Sequence, residues 1–296
     1  MKQRIKEKKE IPQDKAVSIF FNTVGILILI VEAYPLIYVL SASFSSSDAI
    51  SLGKVYLWPV EFSMEGYKML VQNSQILNGF KNSIIYMGLG VLLNMSLTML
   101  LAFPLSRKEL PGRNLITVFV AVTMYVSGGL VPEYLLITRT LKLGNHFLVY
   151  ILPGLIWVYN IILIRSFIDG LPIALQEAAR IDGANDFIIF AKIVLPLCKP
   201  VLATVALFVA VGQWNSFMDT YLYARDLPTL QYVLYEIMEK ATIKVDPHAA
   251  EQLKSAVSPM SIRMAITIIA TVPILIVYPF LQRYFVGGMT IGAVKD

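Results

Sequence analysis

The chain has 296 residues, of which 56% are hydrophobic and only 15% are charged, and its mean hydropathy is +0.66. Soluble globular domains carry about 25% charged residues, so this composition excludes an ordinary soluble enzyme and indicates a membrane protein. The formal charge of +5 does not indicate nucleic-acid binding, because the basic N-terminal stretch supplies most of it.

That N-terminal stretch is a topology signal. Residues 1–16, MKQRIKEKKEIPQDKA, precede a long apolar run, and we predict that they form a cytoplasmic tail. With the N-terminus inside, the inner loops and tails hold most of the 25 Lys and Arg residues, as short cytoplasmic segments do. Both termini are therefore predicted to be cytoplasmic. The apolar run is too long for a cleaved signal peptide, so it is predicted to stay as an anchor.

Six apolar blocks of about 20 residues are long enough to cross the hydrocarbon core as helices. The predicted spans are residues 17–40, 83–105, 115–133, 147–168, 197–217 and 262–283. We therefore predict an all-α membrane protein in which residues 17–296 form a single transmembrane domain. The longer outer segments, 41–82 and 218–261, are predicted to contain short surface helices rather than separate domains.

A few polar side chains lie inside the predicted spans. Glu32 is costly in an apolar environment and is a functional candidate by default, although it can also reach the interface or pair with a neighbouring polar group. Asn94, Asn160 and Gln213 raise the same question and are predicted to form interhelical hydrogen bonds. Cys198 is the single cysteine, which excludes an intramolecular disulfide and predicts a buried thiol.

Motifs for catalysis or cofactor binding are incomplete. Gly287 and Gly292 have the spacing of a phosphate-binding loop, but the required Lys and Ser or Thr do not follow the second glycine. His146 and His248 lack a metal-binding motif and are predicted to be loop residues. No G-x-S-x-G elbow is present. We therefore predict no catalytic, cofactor-binding or metal-binding residues in this chain.

The polar stretch 169–200 lies between the fourth and fifth predicted spans, on the cytoplasmic face. Its ALQEAARI run contains strong helix formers, and the Asp182-Gly183 pair is predicted to end that helix. A second helix is predicted to begin near Asn185 or Asp186, both of which are good N-cap residues. Two prolines then bend the chain into the next span.

The role of the first of these helices stays open on physical grounds alone. It presents Glu177 away from the bilayer, with Ala178 and Ala179 beside it, which suits docking of another protein. It also suits an amphipathic helix that rests on the lipid headgroups.

The stretch EAARIDGANDFIIFAKIVLP resembles the EAA motif of bacterial ABC importer permeases. The GQWNSF run at 212–217 and the terminal RYFVGGMTIGAVK are similar to the carbohydrate-uptake branch, which includes the maltose permease subunits. Within that branch, the chain resembles the lipoprotein-dependent polysaccharide permeases. The resemblance covers nearly the whole chain. It implies the fold of a type I importer permease, with six transmembrane helices and a cytoplasmic coupling-helix loop at 169–200.

By this resemblance, the chain is expected to be one permease subunit of an ATP-driven importer of an oligosaccharide or polysaccharide-derived sugar in the bacterial cell membrane. The implied partners are a second, related permease subunit in a heterodimer, a dimeric cytosolic ATPase that binds ATP and Mg²⁺, and an extracytoplasmic solute-binding protein. An ion-coupled secondary transporter, with Glu32 carrying the ion, is the alternative. A sensor or scaffold subunit that does not transport is a second alternative.

The resemblance also implies site residues. The expected ATPase-docking residues are Glu177, Ala178, Ala179, Asp182, Gly183 and Ala184. In the family, the glutamate pairs with a basic side chain of the ATPase, and the glycine makes the turn between two coupling helices. Trp214, Asn215 and Tyr221 are expected along the sugar path, where aromatic rings suit stacking on pyranose faces. Family members often carry a proline after the Trp-Asn pair, whereas this chain continues WNSFMDTYLY.

Overall fold

The computed structural model describes residues 12–243 and 259–293. Within these ranges the chain is helical, and its only β pairing is an isolated antiparallel bridge between Ser45 and Phe62. The helices of the first half are α1 (Pro12–Ser43), α2 (Ser47–Ser51), α3 (Glu65–Gln72), α4 (Ser74–Ser106), α5 (Arg113–Val122) and α6 (Leu130–Leu135). Those of the second half are α7 (Val158–Asp169), α8 (Ile173–Ile181), α9 (Asp186–Ile189), α10 (Leu195–Leu197), α11 (Lys199–Trp214), α12 (Met218–Tyr223), α13 (Leu230–Ile243) and α14 (Pro259–Ala293). The predicted all-α fold class is confirmed.

The described residues divide into two compact units, and the single transmembrane domain predicted for residues 17–296 stays a prediction. One unit holds the described residues of Met1–Leu70 and Lys244–Ile269, and the other holds those of Val71–Ile243 and Ala270–Asp296. Most of the predicted cytoplasmic tail, and His248, lie outside the described residues.

The first unit is built on the end of α1. The Ser-rich run at the end of α1 is ordered by its own hydroxyls, because Ser41 Oγ donates to the Leu57 carbonyl at 2.7 Å and Ser46 caps α2. A small core of Ala42, Ala49, Ile50 and Val55 is buried there. The predicted short helices of the first outer segment are therefore present as α2 and α3.

The second unit is built around α4, against which α7, α11 and α13 pack. Its main core contains buried residues from α4, α7, α11 and the 186–198 stretch. Close packing depends on Gly212, since a β-carbon there would lie 2.7 Å from Cη2 of Trp157. Short helices in the second outer segment are present as α12 and α13.

Three helices within the described residues are long and apolar enough to cross a membrane: Val17–Ser43, Ser74–Ser106 and Met260–Pro279. They correspond to the first, second and sixth predicted spans. Two bent pairs, Val158–Asp169 with Ile173–Ile181 and Asp186–Leu197 with Lys199–Trp214, raise the number to at most five by the same test. The total of six spans stays a prediction.

The predicted third span, 115–133, is interrupted after Val122. The chain leaves the helix at residues 123–125 and passes through Gly128 and Gly129 before α6 begins. Gly129 has a φ of +83°, which no continuing right-handed helix contains. Two adjacent glycines therefore outweigh the hydropathy of the block.

The predicted fourth span, 147–168, is interrupted at Pro153-Gly154. A short 3₁₀ helix over Phe147–Tyr150 precedes the break and α7 follows it. Proline has no N–H and disrupts a helix, so the freed carbonyls need other donors. Asn94 Nδ2 donates to the carbonyls of Gly154 and Leu155 at 3.1 and 3.0 Å.

The other polar residues of the predicted spans behave differently from one another. Gln213 Nε2 donates to the Tyr150 carbonyl at 3.0 Å, which joins α11 to the 3₁₀ helix that precedes the break. Asn160 is fully buried, yet its Oδ1 and Nδ2 have no hydrogen-bond partner among the described residues, contrary to its prediction. Glu32 lies exposed on α1 and its role stays a prediction. The buried thiol of Cys198 is confirmed.

Candidate functional site

The 169–200 stretch folds into two helical arms joined by a tight turn. The first arm is α8, which lies at 73° to α7. The second arm is Asp186–Leu197, formed by α9, a π-helical turn and α10, and it lies at 76° to α11. The bend between the second arm and α11 falls at Cys198, because Pro200 cannot donate a helical hydrogen bond and its ring obstructs the preceding turn. The predicted pair of short helices joined by a glycine turn is confirmed.

The turn between the arms is a Schellman cap. The Ala184 N–H donates to the Ala179 carbonyl at 2.9 Å, and the Gly183 N–H donates to the Arg180 carbonyl at 3.0 Å. Gly183 has a φ of +84°, the left-handed conformation that glycine adopts without steric cost. The spacing of these small residues therefore follows from how the first arm ends.

The second arm begins at a side-chain cap and is rooted in the core. Asn185 Oδ1 accepts a hydrogen bond from the Ile188 N–H at 2.9 Å, which is the N-cap role predicted for it. Ile189 and Val194 are completely buried against residues of α4 and α7. A displacement of the second arm must therefore move its neighbours in that core.

The six predicted docking residues divide between two faces. Glu177, Ala178, Asp182 and Gly183 are exposed, whereas Ala179 and Ala184 are half-buried and pack against the core. The small side chain of Ala179 thus serves the packing of the chain itself. Close approach of a partner at Ala178 stays a prediction.

Three large, exposed apolar side chains on the two arms were not identified from the sequence. Ile173, Ile181 and Phe187 are 60%, 87% and 72% exposed. Exposed apolar groups clustered around a charged group mark a surface that meets another protein or the membrane. The sequence feature that could have identified them is their position in a short polar segment between two apolar spans.

An ion-pair cluster ties the two arms to the loop between α4 and α5. Arg180 Nη2 lies 3.2 Å from Asp186 Oδ1, and Arg180 Nη1 lies 3.9 Å from Glu109 Oε1. All three side chains are well exposed, so each pair stabilises the fold by about 0–1 kcal/mol. The pairing with Glu109 could not be foreseen, because its partner is distant in sequence.

Arg107 adds a second positive charge next to this cluster. Its guanidinium carbon lies 4.4 Å from the centre of the Phe103 ring. Burial lowers the pKa of Arg107, and the nearby Arg180 lowers it further, whereas Asp186 and Glu109 act in the opposite direction. The end of α4 therefore places a half-buried positive charge beside the first arm.

The chain matches the family model of the binding-protein-dependent transport system inner membrane component over residues 90–291. That range includes both arms, the turn and the core in which the second arm is rooted. The chain belongs to this family of permeases.

Similar proteins cover nearly the whole permease. Protein LplC of Bacillus subtilis is 36% identical over 280 residues, which are 94% of this chain and 92% of LplC. The polygalacturonan/rhamnogalacturonan transport system permease protein YtcP of the same organism is 35% identical over 88% of this chain and 92% of its own. A crystal structure of a bacterial ABC transporter involved in the import of the acidic polysaccharide alginate contains a chain with a TM-score of 0.81 and 30% identity, covering 94% of this permease and 100% of that chain.

These comparisons confirm the resemblance stated from the motif. The family is one of transport permeases rather than of enzymes, and its apolar helices make this a multi-pass membrane protein. The ion-coupled alternative receives no support, because transport in this family depends on a binding protein.

Three residues of the permease were predicted along the sugar path. Trp214 is only 3% exposed, its Nε1–H donates to the Ala270 carbonyl at 2.9 Å, and it lines an apolar cavity of about 220 Å³. Its ring is therefore closed to a sugar in this conformation. Asn215 and Tyr221 are exposed, and the Arg225 guanidinium lies 5.4 Å from the Tyr221 ring centre. Their contact with sugar stays a prediction.

Proposed function

We propose that this permease is one of two different membrane subunits of an ABC importer that brings a polysaccharide-derived oligosaccharide into the bacterial cell. Support for the substrate class comes from two similar transport proteins, whose names specify polygalacturonan/rhamnogalacturonan and alginate. We take the transported species to be an oligosaccharide derived from such a polymer. A solute-binding protein outside the membrane delivers it, as the family description requires.

The observation that carries the ATP-driven mechanism is the contrast between an exposed first arm and a buried second arm. Glu177 is exposed on α8 with Ile173 and Ile181 one turn to either side, so this face offers one charge within an apolar surface. We infer that this surface receives a dimeric cytosolic ATPase, which binds ATP and Mg²⁺. A charged partner group fixes the register of such an interface, and the apolar groups supply contact area.

The second arm explains how movement at that surface reaches the membrane. Ile189 and Val194 share a core with α4 and α7, and packed cores change between discrete arrangements rather than deforming continuously. When the ATPase dimer closes on ATP, the arms move with it and carry the packed helices along. The bond-breaking chemistry belongs to the ATPase, and both termini of the permease lie on the same cytoplasmic side.

The test is ATP hydrolysis by the reconstituted complex. The permease is purified in lipid nanodiscs with its partner permease, ATPase and binding protein, and stimulation by sugar-loaded binding protein is measured. Glu177→Ala is expected to reduce that stimulation about tenfold or more, because a charge-assisted pair is lost at the interface. Glu65→Ala removes an exposed carboxylate at the start of α3 and is expected to change nothing.

The two possible failures are distinct. Unchanged stimulation in Glu177→Ala, with the ATPase still bound, would remove the first arm from the coupling interface. Failure of the wild-type permease to bind any ATPase would contradict the importer itself. Uptake of labelled oligosaccharides from acidic and neutral polysaccharides tests the substrate class, and uptake of none of them in an ATPase-active complex would contradict it.

A further inference from the structure

A basic cavity lies between the end of α4 and the start of α5, and no residue of either arm lines it. Its volume is about 350 Å³. It is lined by Lys108, Leu110, Gly112, Arg113, Asn114 and Leu115. The orientation predicted from the basic residues puts this loop on the cytoplasmic face, where we expect the cavity to meet the lipid headgroups.

The donor side chains of this cavity are unpaired within the part of the chain that the structure describes. Lys108 and Arg113 form no ion pair with any described residue, and the Asn114 side chain forms no hydrogen bond there. The one acidic residue of the loop, Glu109, instead faces Arg180 at 3.9 Å. Two positive charges and an amide are therefore available to an anionic ligand.

An apolar stripe begins at the cavity and follows α5. Leu115, Val118, Phe119 and Val122 are 77%, 60%, 72% and 49% exposed. Their spacing places them on one face of the helix, along roughly 10 Å at 1.5 Å per residue. The opposite face is occupied, since Thr117 accepts a hydrogen bond from Arg165 at 2.9 Å and Val120 packs against the core.

Cationic groups at headgroup level, continued by an exposed apolar stripe, match one kind of molecule. A free phosphate ion would use the cavity and leave the stripe uncovered. An anionic phospholipid would place its phosphate beside Lys108 and Arg113 and one acyl chain along α5. We propose that the cavity and the stripe together form a binding site for a single anionic phospholipid.

The site adjoins the coupling loop through one residue. Lys108 precedes Glu109, whose carboxylate is paired with Arg180 on the first arm. A bound lipid therefore stabilises the loop with which the first arm forms an ion pair. This proposal does not depend on the identity of the transported sugar.

The test is lipid retention by the full-length permease in its purified membrane complex. Native mass spectrometry compares retention of phosphatidylglycerol and phosphatidylcholine by the wild type, by K108Q/R113Q and by K54Q/K68Q. Each Lys or Arg near an anionic group changes affinity roughly fivefold, so K108Q/R113Q is expected to bind phosphatidylglycerol at least about tenfold more weakly. The control variant removes the same charge from exposed positions of the first unit and is expected to retain it.

Three results would overturn the proposal. One is equal retention of phosphatidylglycerol by K108Q/R113Q and the control. Another is binding of inorganic phosphate or glycerophosphate as tight as that of the full lipid, which would show an anion site without an acyl-chain path. The third needs no variant. A phosphatidylglycerol with a photoreactive acyl chain is expected to crosslink wild-type residues 115–122, and crosslinks only elsewhere would exclude the lipid from this face.

Discussion

The two arms of the coupling loop are joined by one turn but are held in opposite ways. The first arm keeps Glu177 and Ala178 exposed and is fastened by a backbone cap and by exposed ion pairs. The second arm buries Ile189 and Val194 completely. A loop that transmits movement between two proteins needs an exposed surface that binds the partner. It also needs a buried segment that moves together with the helices around it. This difference predicts that the stability of the permease depends mainly on the second arm, whereas coupling to the ATPase depends mainly on the first.

The largest effect on stability is expected from Ile189→Ala. Removing this fully buried side chain leaves a cavity in the core, which costs about 2–4 kcal/mol of unfolding free energy. Thermal unfolding of the detergent-purified permease measures it. The matched control is Ile188→Ala at the neighbouring position, which is 38% exposed and should cost clearly less. Equal losses would contradict the assignment of the second arm as the anchored one.

A smaller loss is expected when the turn is strained. Gly183→Ala must adopt a φ near +84°, which costs about 1–2 kcal/mol for a residue with a β-carbon. The same thermal measurement applies, together with recruitment of the ATPase, which should weaken because the arms change their angle. Gly144→Ala is the control, since its β-carbon would meet open space. A Gly183→Ala permease as stable as the control would exclude a required left-handed turn.

Loss of the cap on the second arm is expected to cost about 1 kcal/mol. Asn185→Ala removes the oxygen that accepts the Ile188 N–H, whereas Asn185→Asp keeps an acceptor in place. We therefore expect the wild type and Asn185→Asp to have similar melting temperatures, and Asn185→Ala to have a lower one. If the Asp and Ala variants melt alike, the side-chain cap is not what starts this helix.

The smallest effect is expected from the ion pair across the turn. Arg180→Gln, Asp186→Asn and the double variant form a cycle whose coupling energy should lie below about 1 kcal/mol, because both side chains are exposed. The ratio of sugar imported to ATP hydrolysed should fall in the same variants if the cluster steadies the first arm. A coupling energy of several kcal/mol would mean that the pair is buried in the assembled transporter.

The arms could be predicted from the sequence because their determinants are local. Helix formers in ALQEAARI, a glycine that ends the helix and an asparagine that starts the next act within a few residues of where they stand. The break at Pro153-Gly154 was also signalled, since this pair is a strong helix breaker. The hydropathy of the surrounding block outweighed that signal in the prediction. The two carbonyls freed there accept hydrogen bonds from Asn94 on another helix, which no local pattern describes.

The sequence by itself therefore determined that this is a helical membrane protein, where the three long apolar helices of the described residues lie, and the glycine turn between the two arms. These features depend on composition and on neighbours a few residues apart. Only the tertiary structure decided that Ala179 faces the chain's own core, that Trp214 is enclosed and that Arg180 meets Glu109. Each of these facts depends on contacts between segments distant in the chain, and such contacts follow from how helices pack rather than from what any one helix contains.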